Sequence, residues 1–269
     1  MEPSRPVGPT VPDWTPPPVP TGEGLTGRYA RLEALDADRH AALLFKAFDG
    51  YDEVWTYMPD GPFASAAQFH RWMREATARD DILFYAILDL TTGEYGGFAS
   101  YLRMQPAAGS IEVGYIAMAP QLQRTRAASE AIYLMMKWAF EAGYRRFEWK
   151  CDALNAASRR AAQRLGFSFE GVFRQATVYK GRNRDTAWFA AIDSEWPALN
   201  EAFQFWLSPD NFDDAGVQRE RLSDLTSLVR YAGDPEQARH RPPVRGGGGA
   251  KAFGTTPDTQ VFATCGETL

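Results

Sequence analysis

The sequence predicts an α+β fold built on one mixed sheet, and three observations carry that expectation. Three consecutive alternating stretches, ILFYAILDL at 82–90, YGGFASYLRM at 95–104 and IEVGYIAM at 111–118, are joined by the short segments TTGE and PAAGS, which makes an antiparallel meander. The period then changes. Ala128, Ala131, Ile132, Met135, Ala139 and Phe140 recur at three and four, so a long helix follows Pro120 and stops at Gly143. RRFEWKC at 145–151 reads as the next strand, and a strand, helix, strand passage requires a parallel crossover.

The remaining elements follow in chain order. YARLEAL at 29–35 alternates as a strand, and ADRHAALLFKAF at 37–48 places Ala41, Leu44, Phe45 and Phe48 on one helical face. A second helix is expected at 65–79, where Phe69, Trp72 and Met73 share a stripe. Beyond the crossover, Asn155 caps a helix running through Leu165, which Gly166 ends. FSFEGVFRQ at 167–175 and TAWFAAID at 186–193 then supply two further strands.

Prolines crowd residues 1–25 and favour an extended arm over helix or ladder. Residues 26–232 form one domain of ordinary size with a C-terminal helical extension. Residues 233–269, with GGGG at 246–249 and no apolar period, read as a flexible tail.

A formal charge of −5 offers no general attraction to phosphate backbones or anionic lipid, so neither nucleic acid nor a membrane is expected as a partner. The most apolar helical stretch, AIYLMMKWAF, is interrupted by Lys137 and falls short of a span. The start of the chain lacks a signal-peptide core, and Cys151 and Cys265 make neither a disulfide framework nor a zinc site. A cytoplasmic, metal-free protein is the expectation.

Chemistry concentrates in APQLQRTRAASEA, between the strand ending at Met118 and the long helix. A strand-to-helix loop aims backbone N–H groups at whatever lies beyond the helix start, and such a place binds anions. Arg124 and Arg126 add guanidinium groups and Thr125 and Ser129 add hydroxyls, which suits phosphate better than carboxylate. A solvated basic turn is the plain alternative.

Three passages within residues 28–195 resemble the GCN5-related N-acetyltransferase (GNAT) superfamily, and more closely its ribosomal-protein acetyltransferase-like branch. Gln123-Arg124-Thr125-Arg126-Ala127-Ala128, followed by Ser129-Glu130-Ala131, is similar to the loop that grips the pyrophosphate of acetyl-CoA. Asn155-Ala156-Ala157-Ser158, Leu165-Gly166-Phe167 and Glu170-Gly171 resemble an N-x-x-S, L-G-F, E-G signature. Gly181-Arg182-Asn183-Arg184-Asp185 precedes a last strand, as in the same branch. The resemblance implies a GNAT-like mixed sheet with helices on both faces. It also implies acetyl-CoA as co-substrate, held by residues 123–129, by Asn155 and by the backbone of Ile116 and Met118. One position departs from the pattern: Arg126 stands where the loop has its central glycine, which costs the closest backbone approach and adds a cation.

A thioester is already activated, so the protein needs only to take a proton from an ammonium and give one to the departing thiolate. Glu112 interrupts an apolar strand and is the expected general base. If the hairpin pairs Gln105 with Ser110, however, Arg103 reaches Glu112 and the two form a cross-strand ion pair. Ser158 is the expected acid by resemblance, with a helix cap as its structural alternative; Tyr115 and Tyr179 are further proton donors. Trp55, Tyr57 and Phe63, in YDEVWTYMPDGPF, would wall the acceptor pocket unless they are ordinary core. There is no G-x-S-x-G elbow, P-loop or Rossmann fingerprint. The expected activity is transfer of an acetyl group to a primary amine, of a small molecule or a peptide. A non-catalytic acyl-CoA-binding or protein-interaction module on the same fold is the alternative, and oligomeric state stays open.

Overall fold

A computed structural model describes residues 5–239. Its sheet runs β1 (Leu25–Thr26), β2 (Ala30–Ala34), β3 (Ile82–Asp89), β4 (Glu94–Gln105), β5 (Ser110–Met118), β6 (Arg146–Asp152), then β8 (Arg182–Ile192) and finally β7 (Ser168–Tyr179) at the edge. The expected meander is β3–β4–β5, and β5 pairs parallel with β6, from Ser110 opposite Arg146 to Val113 opposite Trp149. Every other neighbouring pair is antiparallel.

Four helices start on side-chain caps at the places where the sequence puts Asp, Ser, Thr or Asn before an amphipathic run. Asp36 accepts from the amide of Arg39 at the start of α1 (Ala37–Phe48), and Ser65 from Gln68 at α2 (Ala66–Thr77). Thr125 accepts from Ala128 at α3 (Arg126–Glu141), and Asn155 from Ser158 at α4 (Ala156–Arg164). Each such cap stabilises its helix by about 1 kcal/mol. The extension adds α5 (Trp196–Leu207), α6 (Leu222–Ser227) and α7 (Pro235–Arg239).

Two cores cover opposite faces of the sheet. On one face, Ile111, Val113, Phe147, Trp149, Ala187 and Phe189 pack with Ala131, Met135 and Ala139 of α3 and with Phe203 of α5. On the other, Phe84, Phe98 and Leu102 pack with Leu44, Phe48, Phe69 and Met73 of α1 and α2. This second core stops at β5. The residues that β6 and β8 show on that face, Arg146, Glu148, Lys150 and Trp188, belong to neither cluster. Helices therefore lie on both faces, but one face is left bare from β5 to β8, and that is where the polar chemistry gathers.

Some boundaries differ from expectation. The β7–β8 hairpin is longer than its two apolar stretches, continuing to Tyr179 and restarting at Arg182. Most of its added residues are exposed and none is buried, so they carry no apolar alternation. Lys180 and Gly181 make the tight turn with φ of 48° and 70°. The tail boundary at 233 is also corrected. Asp234 is buried and ion-paired with Arg159, and α7 follows it. One charged residue in a polar segment gave no hint of that partner. Residues 240–269 of the expected tail, with His240 and Cys265, lie outside the described residues, as do residues 1–4. Within the arm, Trp14 donates to the carbonyl of Ala107 and Tyr144 donates to that of Pro18. Among the described residues no helix is long and apolar enough to cross a membrane.

Candidate active site

After Val113 and Trp149 the two parallel strands part: the remainder of β5 has no partner on β6, and Lys150 to Asp152 pair only with β8. The cause is local. Tyr115 has φ of 46° and the β4–β5 register shifts between Phe98 and Ser100, so β5 bulges away from its parallel neighbour. The bulge also moves the Tyr115 ring to the α1–α2 face, 5.4 Å from Phe84. Ile116 and Met118 line the parted edge with their backbone while their side chains pack on the first core. The Met118 carbonyl is engaged by Gln123 Nε2 at 2.9 Å. Gln123 thus braces the strand end.

At the start of α3, Arg124 adopts φ of 63°, and among the described residues the amides of Arg124, Arg126 and Ala127 make no hydrogen bond. Three unpaired N–H groups around a left-handed turn are the kind of arrangement that can hold an anion. The hydroxyls and one of the cations expected there have partners within the fold. Thr125 caps Ala128 and donates to the carbonyl of Leu122 at 2.8 Å, and Ser129 is held by Arg164 at 2.9 Å and by the Thr125 carbonyl. Both hydroxyls are spent within the fold. Arg126 lies between the rings of Tyr29 and Phe212, 4.5 and 4.6 Å from their centroids. Its half-buried side chain is thus turned toward these rings, while its amide faces the loop unpaired. Arg124, exposed and in no ion pair among the described residues, is the cation beside these amides. Ala127 and Ala128 contribute small side chains on a buried turn. Glu130, unassigned from sequence beyond its motif, accepts from the amides of Arg28, Tyr29 and Ala30 and ties β2 to α3. A Cβ at Gly27 would collide with that carboxylate.

On the α3–α4 face of the gap, Ser158 Oγ accepts from Trp149 Nε1 at 3.0 Å, beside Cys151. Burial pushes the Cys151 thiol up to about 11, and Ser158 offsets this in part. Cys151 is thus an inert buried thiol. Asn155 spends Oδ1 on the helix cap.

On the bare face the hairpin pairs Gln105 with Ser110, but a bulge at Arg103, with φ of 46°, shifts the register so that Leu102 stands opposite Glu112, and Arg103 still holds both oxygens of Glu112 at 2.7 and 2.8 Å. Lys150 binds Glu112 at 2.8 Å and Glu148 at 2.7 Å; Arg146 joins Glu148 to Glu170. The expected base is thus a 3 % exposed member of an ion-pair ladder rather than a lone carboxylate among apolar groups. Further along the same face, Asp152 accepts from Tyr179 at 2.9 Å and from the amide of Leu154. Burial and this carboxylate push the Tyr179 hydroxyl up to about 12. Sequence reasoning passed over Asp152 because it ends a strand and matches no motif.

The acceptor walls are also redrawn. Trp55 is 3 % exposed and packs edge-on against Phe48 and Phe63, so it is core, as its aromatic density allowed. The cavity it lines with Phe63 is about 40 Å³, little more than a water's worth. Tyr57 alone of the three reaches across, donating to the carbonyl of Leu154, while Lys180 from the hairpin turn donates to that of Trp55. The hairpin tip is thereby pinned over the α1–α2 link. A wider groove, about 740 Å³, opens at the β7 bulge beside Phe173, Gln175, Asn183 and Asp185.

A family model described as an acetyltransferase (GNAT) domain matches residues 30–168. A crystal structure of a GCN5-related N-acetyltransferase from Brucella melitensis is 46% identical, with a TM-score of 0.79 over 81% of this chain and 100% of that one. A GNAT-family structure from Chromobacterium violaceum is 42% identical, with a TM-score of 0.69 over 74% of this chain and 100% of that one. The acetyltransferase from Salmonella typhimurium that modifies the N-terminal serine of ribosomal protein L7/L12 is 22% identical, with a TM-score of 0.55 over 63% of this chain and 99% of that one, and shares the fold. A comparison with curated proteins found no match.

Proposed function

The chain belongs to the GNAT family of acetyltransferases, and from that premise we propose that it transfers the acetyl group of acetyl-CoA to a primary amine by direct attack. The observation that carries this reading is the parting of β5 from β6 with open amides at the start of α3. A diphosphate would sit on the amides of Arg124, Arg126 and Ala127 with Arg124 as its cation, and the pantetheine arm would run along the backbone of Ile116 to Met118.

The two faces divide the proton chemistry. Ser158 lies on the α3–α4 side and gives its proton to the leaving thiolate; its oxygen already accepts from Trp149, which holds the hydroxyl in place. The acceptor amine comes from the bare face, where Glu112 takes its proton once the amine displaces Arg103, whose side chain is 58% exposed. The Asp152–Tyr179 pair supports a second assignment, in which Asp152 is the base and Tyr179 relays the proton. The acceptor is a small-molecule or peptide amine.

Isothermal titration with acetyl-CoA, followed by CoA release with a panel of amines, tests the reading. Saturable binding and amine-dependent release are expected. No heat with acetyl-CoA would return the chain to a module that kept the shape and lost the chemistry.

A further inference from the structure

We propose that Arg184 binds an anionic group of the acceptor, a carboxylate or a phosphate, so that the preferred amine carries a negative charge; this rests on the acetyl-transfer reading above. The argument begins with the charge balance of the bare face. Arg103, Glu112, Lys150, Glu148, Arg146 and Glu170 are linked in sequence, and the three cations of that ladder are matched by three carboxylates. Lys150 in addition lies 3.7 Å over the Trp188 ring. Nothing in the ladder calls for a further ion.

Arg184 stands outside it. Alternation along β8 puts Arg184, Thr186 and Trp188 on that bare face, in the stretch of β8 that flanks the parted strands through Asp152 and Lys150. Arg184 pairs with no carboxylate among the described residues, and its Nε is buried without a hydrogen-bond partner. The acids nearby are committed elsewhere. Asp152 is taken by Tyr179 and Leu154, and Asp185, on the opposite face, by the Gln175 amide and Asn183. The Tyr179 ring lies 5.8 Å from the Arg184 guanidinium, and the Cys151 thiol, on the α3 side of the sheet, feels its charge. The Trp188 indole, further along the row, is likewise a buried N–H without an acceptor.

A buried guanidinium nitrogen with no acceptor costs free energy that a folded chain ordinarily avoids by pairing. Here two buried N–H groups of the row, Arg184 Nε and Trp188 Nε1, find no acceptor beside the parted strands. A guanidinium fork suits carboxylate or phosphate oxygens better than a neutral carbonyl.

The test reads the Arg184 Nε–H resonance of ¹⁵N-labelled protein, assigned with Arg184→Lys, during titration with sodium acetate, sodium phosphate or acetamide at constant ionic strength. A saturable shift with acetate or phosphate, absent with acetamide, is expected, and the stronger anion identifies the acceptor's charged group. No saturable shift with either anion, or an equal one with acetamide, overturns the proposal. In the acyl-transfer assay, Arg184→Lys should lower kcat/KM ten- to a hundredfold for amines bearing that group and leave their neutral analogues and acetyl-CoA binding unchanged. An equal loss for charged and neutral amines also overturns it. Failure of acetyl-CoA to bind while the resonance responds would remove the catalytic reading, and with it the acceptor, and leave an anion site at Arg184; binding with an unresponsive resonance would remove this proposal alone.

Discussion

Trp149 Nε1 donates to Ser158 Oγ at 3.0 Å, joining the last residue of the parallel pairing to the first turn of α4. The indole satisfies one lone pair of the hydroxyl and leaves its proton to be given to another atom. The position of the Ser158 hydroxyl is thus set where the parallel strands part.

Ser158→Ala is therefore expected to lower kcat by roughly 10² with little change in acetyl-CoA affinity, at the low end of the usual range for losing a positioned proton donor. Trp149→Phe keeps the ring and loses the N–H, and should cost less. Single-turnover kinetics with titration calorimetry separates the two quantities. An unchanged kcat in Ser158→Ala makes that hydroxyl a structural group.

Glu112→Gln and Asp152→Asn distinguish the two base assignments. The variant that removes the base should lose about 10² to 10⁴ in kcat/KM, while the other should keep most of its activity. Glu112→Gln also leaves Arg103 and Lys150 one carboxylate short inside the ladder, so a stability loss on the order of 3 kcal/mol is expected for a broken buried pair. Thermal melting of both variants keeps that loss from being read as catalysis.

Arg124→Ala should weaken acetyl-CoA binding about tenfold to a hundredfold, as loss of a charge-assisted phosphate contact does, and flatten its salt dependence. Arg126→Ala should act differently. Its guanidinium is held by Tyr29 and Phe212, so the melting temperature falls while affinity changes little. Equal effects of the two on affinity would contradict the assignment.

His40 predicts a pH dependence of stability. The ring is 1% exposed, its Nε2 makes no hydrogen bond among the described residues although Glu33 lies 3.8 Å away, and desolvation, with Arg39 adding to it, lowers its pKa below the usual imidazole value. Because the unfolded chain then takes up the proton first, stability is complete above about pH 6.5 and declines as the pH falls below it toward the lower folded value. Glu33, whose pKa is also lowered, acts only in the more acidic carboxylate range. Melting curves from pH 7.5 to 5.5 should show a decline that His40→Gln reduces.

Asp234→Asn should destabilise the domain by roughly 3–5 kcal/mol, since it removes the partner of Arg159 in a buried pair. Arg159 also holds the carbonyl of Ala153 and follows Ser158 on α4, so urea unfolding and activity should both respond.

Element types and their order were legible in the sequence because they depend on short-range rules: alternation for β3 to β6, a three-four period with a Thr cap for α3, and Asn155 with Gly166 bracketing α4. The L-G-F glycine shows how far those rules extend. Its φ of 93° ends the helix as its type predicts, but that a Cβ there would collide with Leu199 of α5 is a fact of tertiary packing. The location of the loop with open amides was also legible, since backbone amides at a helix start need no particular side chain.

Which side chains serve that loop was decided only by the folded chain. Arg124 and Arg126 are two residues apart and chemically alike, yet Phe212, eighty-six positions downstream of Arg126, takes one and leaves the other. Glu112 reads as a lone acid in an apolar strand until β4 and β6 bring Arg103 and Lys150 to it. Trp55 reads as a pocket wall until Phe48, Phe63 and Phe69 surround it. Local pattern specifies the backbone because hydrogen bonding and alternation act over a few residues. The partner of a charge or a ring lies across the sheet, and only the closed fold determines it.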